Sequence, residues 1–80
     1  MHSKENIKHL IRKEVETLAG RAVEGDDEEF FKNGILDSLN ILHIIIFIES
    51  KFKISIDPFS INLDSLGTIN RVADYIESKI

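Results

Sequence analysis

The segment from Ser38 to Phe52 restricts the possible folds more than any other part of this chain. Leu39, Ile41, Leu42, Ile44, Ile45, Ile46, Phe47, Ile48 and Phe52 leave little polar surface on any side of it. The β-branched run taken alone would suit a buried strand. Its length, a cap from Asp37 or Ser38, and the interruptions at Asn40, His43, Glu49, Ser50 and Lys51 favour a helix. In a chain of 80 residues such a helix is central, yet so small a domain cannot cover it all round. Part of its apolar surface is expected to face a partner.

The remaining segments supply its neighbours. Ser3 can cap a first helix, about 4–19, whose Ile7, Leu10, Ile11, Val15 and Leu18 recur at three- and four-residue spacing. Gly20 suits its C-terminal stop. Residues 20–37 show no sustained period and form a long loop, of a length that is usually functional or disordered. Its second half is too apolar for disorder. Phe30 or Phe31, Ile35 and Leu36 are expected to anchor it, with Asn33-Gly34 as a turn. Ile54 and Ile56 lie in an extended connector. Asp57-Pro58 opens a short helix to about Asn62, proline being suited to the first helical position. Asp64 caps a last helix, about 65–79, with Leu66, Ile69, Val72, Tyr75, Ile76 and Ile80 as its buried stripe. The expected architecture is all-α: one domain over 1–80, a small four-helix bundle of three long helices and one short, with the long loop between the first two.

Composition removes several function classes. With 42% hydrophobic residues and one proline the chain is globular rather than disordered. The net charge of −4 argues against nucleic acid, which needs clustered Lys and Arg. The longest apolar run, Ile44 to Ile48, is too short to span a membrane, and the N-terminal residues show no export signal, so a cytoplasmic monomer is expected. There is no cysteine, which excludes disulfides and a protein thiol nucleophile. The acidic cluster Glu24, Asp26, Asp27, Glu28 and Glu29 reads as a solvated loop, since a calcium loop needs a different spacing. His2, His9 and His43 are scattered and imply no metal or acid–base pair. No nucleophile, base and oxyanion site can be assembled, so no enzyme is expected.

The informative segment is Phe31-Lys32-Asn33-Gly34-Ile35-Leu36-Asp37-Ser38-Leu39. A serine at a helix start after a long loop is exposed, and free N–H groups and the positive dipole end there favour an attached anion. The segment resembles the phosphopantetheine attachment signature of the acyl and peptidyl carrier proteins, in which Asp-Ser-Leu follows a Gly and an apolar pair. Ile48 to Ile56 is similar to that family's exit from helix two, and Ile69 to Ile76 to its closing helix. The triplet also occurs as Asp64-Ser65-Leu66. That copy lacks the Gly-apolar-apolar lead and has too little chain after it, so Ser65 reads as a helix cap.

The resemblance implies a carrier whose Ser38 bears a covalent 4'-phosphopantetheine. Asp37 would help the modifying transferase dock or hold its magnesium, and Leu39 would pack beside the arm. The arm's thiol would carry an acyl or aminoacyl thioester. Partners would be a phosphopantetheinyl transferase, a loading ligase or acyltransferase, and a downstream synthase, with no nucleic acid or membrane.

Carriers of fatty acid biosynthesis usually place several acids along helix two. Here that face offers Asn40, Ile41, His43 and Ile46, with no acid before Glu49. Partner docking is therefore expected to be more apolar and less salt-sensitive, as suits polyketide, nonribosomal peptide or envelope pathways. Ile45, Ile48, Ile54, Ile56, Ile61 and Ile69 are candidates for a cleft that shields an acyl chain, against a filled core as the plainer reading. The rival function is an unmodified helical interaction module built on apolar helix two.

Overall fold

The computed structural model describes residues 3–57 and 59–80, and within them it is all-helical. Helix α1 spans Lys4–Ala19, α2 Asn40–Phe52 and α3 Ile69–Glu77, with a 3-10 turn at Leu63–Leu66. Ser3 accepts a hydrogen bond from the Asn6 amide at 3.2 Å, and α1 stops where Gly20 turns left-handed at φ 71°. Helix α2 also ends on a left-handed residue, Lys53, at φ 59°. That conformation is uncommon outside glycine, so composition gives no hint of it.

One core joins the elements. Ile7, Ile11 and Val15 of α1 meet Ile44, Ile45 and Ile48 of α2 and Ile69, Val72, Ala73 and Ile76 of α3. Burying each large aliphatic side chain contributes about 1.5–3 kcal/mol. Leu10 and Leu18 pack at its edge, whereas Ile80 lies exposed beyond α3 rather than in the expected stripe.

The long loop is built onto the helices. Residues 29–34 form a helical turn, in which the Phe30 carbonyl accepts the amides of Ile35 and Leu36 at 2.8 and 3.2 Å. Gly34, at φ 70°, reverses the chain there, a conformation glycine adopts at low cost. Phe30, Ile35 and Leu36 are buried and Phe31 is half-buried, so Phe30 is the aromatic anchor.

The acidic cluster is not simply solvated. Asp26 pairs with Lys8 at 2.6 Å and with Arg12, and its carbonyl accepts the Asn70 amide at 3.0 Å. Arg12 also donates to the Val23 carbonyl at 2.6 Å, and Asn70 donates to Asp27 at 2.8 Å. Glu28 pairs with Arg21 at 2.7 Å, while Glu24 and Glu29 remain exposed. The loop is thus laced to both α1 and α3.

Two expected elements differ. The four-helix bundle has three α-helices, because no helix forms at 57–62 among the described residues. Asp57 takes the Phe59 amide on one carboxylate oxygen (2.9 Å) and the Ser60 hydroxyl on the other (2.7 Å), and Asn62 is extended. These side-chain bonds hold a turn instead of a helix. The expected positions of His2 and of Pro58 fall outside the described residues. Helix α3 begins at Ile69, not 65, and its cap is Thr68 rather than Asp64 or Ser65. The Gly67 carbonyl accepts the Phe30 amide at 2.8 Å, and the Arg71 amide goes to Thr68 Oγ1 at 3.0 Å. The helical bond from Arg71 to Gly67 is therefore replaced by the loop anchor. Among the described residues, no helix is long and apolar enough to cross a membrane.

Candidate functional site

Ser38 stands where the anchored loop delivers the chain to α2. Burial of Ile35 and Leu36 fixes the approach, and Asp37, Ser38 and Leu39 then emerge into solvent. Asp37 is the residue that starts the helix. Its Oδ1 accepts the amides of Leu39 and Asn40 at 3.0 and 2.8 Å, and its carbonyl accepts the Ile41 amide at 3.0 Å. Leu39 already has helical dihedrals, φ −79° and ψ −45°. Ser38 is thus the first residue inside the turn, not its cap.

That arrangement leaves the Ser38 hydroxyl exposed, with no hydrogen-bond partner among the described residues. A covalent substituent there would displace no hydrogen bond of the described residues, and Leu39, 71% exposed, offers an apolar surface beside it. The residues fit a flexible arm tethered through a phosphodiester. They do not form an anion pocket, because Asp37 already occupies two of the free helix-start amides. A group on Ser38 would be held by its covalent bond and remain free to swing.

The second Asp-Ser-Leu triplet is built differently. Ser65 lies within the 3-10 turn, half-buried, its amide bonded to the Asn62 carbonyl at 2.9 Å. Asn62 supplies the side-chain cap there, to the Asp64 amide at 2.9 Å. The short turn presents no α-helix start.

Downstream of Ser38, the outer face of α2 carries Leu39, Leu42 and Ile46, which are 71%, 43% and 63% exposed. Their i, i+3 and i+7 spacing places them on one stripe. His43 shares it and is exposed, and Asn40 is half-buried at its flank. Ile41 does not belong to the surface. It points into the core with Ile44 and Ile45, one helical turn away, and is 3% exposed. Leu42 was missed in the sequence, although its three-residue step from Leu39 was legible. The stripe ends at an open groove lined by His43, Ile46, Phe47, Ser50, Lys51, Lys53 and, from α1, Glu14.

Ile45, Ile48, Ile56 and Ile69 are buried in the continuous core, with Ile54 and Ile61 at its edge. They pack against their neighbours in the described conformation. The exposed Phe59 and Leu63 in the connector between α2 and α3 carried no sequence signal beyond being apolar.

Comparison with known proteins matches residues 9–76 to the family model described as the phosphopantetheine attachment site. The chain is 33% identical over 76 residues to the D-alanyl carrier protein of Leuconostoc mesenteroides, covering 94% of this chain and 97% of that one. It is 31% identical over 75 residues to the D-alanyl carrier protein of Leuconostoc citreum, covering 92% and 96% respectively. The D-alanyl carrier protein of Lactococcus lactis subsp. cremoris is also 31% identical, over 91% of this chain and 95% of its own length.

Proposed function

This chain belongs to the phosphopantetheine-attachment family of carrier proteins, and on that premise we propose that Ser38 bears its covalent 4'-phosphopantetheine and that the cargo is a D-alanyl group. The carrying observation is the exposed and unengaged Ser38 hydroxyl, presented at the head of α2 by an anchored loop and an Asp37 cap. When bound, the prosthetic group supplies the thiol that holds the cargo as a thioester. The names of the similar proteins favour D-alanine over a fatty acyl or polyketide chain.

The residues of the chain divide the remaining tasks. Ser38 Oγ attacks the coenzyme A phosphorus in the transferase site, losing its proton as the nucleotide portion departs. Asp37 holds the helix start through Oδ1 and leaves Oδ2 available to the transferase or its magnesium. Leu39, Leu42, His43 and Ile46 form the docking stripe for the transferase, for the ligase that loads D-alanine and for the enzyme that receives it. Docking on this stripe is more apolar than docking through an acidic helix. The chain is a substrate of these enzymes and performs no catalysis itself.

Intact-mass measurement tests the attachment. Incubation with coenzyme A and a phosphopantetheinyl transferase adds one phosphopantetheine to the native chain and to Ser65→Ala, and none to Ser38→Ala. An unmodified native chain, beside a control carrier that is modified, would return the protein to the class of unmodified interaction modules.

A further inference from the structure

Helix α2 contains one acid, Glu49, and the fold withdraws it from the docking face. Its carboxylate accepts the Ile56 amide at 2.8 Å, which ties it to the connector. Asp37 is likewise turned to the amides of Leu39 and Asn40. The cations divide between paired and unpaired. Lys4, Lys8, Arg12, Arg21 and Lys32 each pair with a carboxylate. Lys13, Lys51, Lys53, Arg71 and Lys79 pair with no carboxylate among the described residues, and of these Lys51 and Lys53 stand exposed at the groove that ends the stripe, which Glu14 of α1 also lines. A chain of net charge −4 therefore presents a docking face that is apolar along its length and carries two lysines against one acid, Glu14, at its far end.

We infer that the enzyme loading the arm meets this face with an apolar patch flanked by carboxylates, which pair with Lys51 and Lys53 while Ile46 and Phe47 fill the patch. The inference rests on the carrier reading and names the chemistry of its partner. It follows from charge complementarity: an apolar patch rimmed by Lys or Arg would bring like charges together at the groove, at a cost that selects against it. The apolar stripe supplies contact area common to several partners. The two lysines supply orientation, since exposed charges act mainly on encounter and register. They also set which end of α2 lies against which edge of the enzyme, so the serine end reaches the catalytic entrance.

Loading kinetics test this with the holo protein and the ATP-dependent D-alanine-activating ligase of the same genome. The Lys51→Glu/Lys53→Glu variant, matched to the native chain in melting temperature and in phosphopantetheine content, should raise the KM for carrier by about tenfold at low salt and leave kcat unchanged. The neutral Lys51→Gln/Lys53→Gln variant should fall between them, and the differences should shrink at about 0.5 M salt. An unchanged or lower KM in the glutamate variant, or equal effects of both variants at both salt levels, overturns the inference while the carrier reading stands. So does sedimentation of the native protein, and not the glutamate variant, with vesicles of anionic phospholipid together with an unchanged loading KM, which would assign the lysines to a lipid surface. Failure of the native holo protein to accept D-alanine at any salt overturns the cargo reading together with this partner.

Discussion

Asp37 and Ser38 share the head of α2, and their tasks are separable by substitution. Asp37→Ala removes the acceptor for the Leu39 and Asn40 amides and should cost about 1 kcal/mol, seen as a fall of about 4–8 °C in melting temperature. Asp37→Asn caps nearly as well and should melt within a few degrees of the native protein. If the carboxylate also serves the transferase, Asp37→Asn slows modification at unchanged stability, a combination that loss of the cap alone does not produce. The adjacent hydroxyl was identifiable in the sequence, but which of the two residues caps was not. Either side chain suits the position, and only the backbone path through Leu36 decides between them.

At the level of elements, the loop between α1 and α2 acts as a structural member. The Phe30 side chain is fully buried, and its amide holds the Gly67 carbonyl that would otherwise lengthen α3. Phe30→Ala should therefore destabilise the protein by about 3–5 kcal/mol, through lost burial and the cavity left behind. Phe31→Ala, at a half-buried position, should cost distinctly less. Urea unfolding of the two variants measures the difference, and equal losses would mean that Phe31 anchors the loop as much as Phe30 does. Against a total of about 5–15 kcal/mol, the Phe30 loss should leave the loop, and with it Ser38, poorly placed.

The whole molecule has a radius of gyration of 11.4 Å, close to the value of about 12 Å for a compact chain of this length. The loop must then lie on the helices, and Asp26 is the residue that joins it to both α1 and α3. Hydrogen bonds from Lys8 and then Arg12 hold its carboxyl below the ordinary 3.8, against the opposing effect of partial burial. A depressed carboxyl stabilises the fold above its unfolded value, and that contribution is lost as pH falls through the folded value. Acid unfolding should accordingly steepen below pH 3.8. Asp26→Asn should be less stable at neutral pH and show a shallower loss in that range, measured by denaturant midpoints across the titration. Coincident pH profiles for the two proteins would show that the Asp26 pairs contribute nothing net.

The amino-acid sequence by itself determined the helical class, the stripe of α1, the existence of α2 and the identity of the candidate serine. These depend on local periodicity, on end signals such as Ser3 and Gly20, and on a motif whose flanking residues separate Ser38 from Ser65. Tertiary structure alone decided where α3 begins, which acids are paired and which side of α2 faces outward. Thr68 caps α3 because Phe30, distant in the chain, takes the Gly67 carbonyl. Asp26 is paired because α1 lies beneath the loop. Ile41 is buried while Leu42 and Ile46 are exposed, a distinction that a helix apolar on nearly every side cannot encode. With no polar stripe to mark the solvent side, only packing against α1 and α3 assigns each isoleucine to the core or to the docking face.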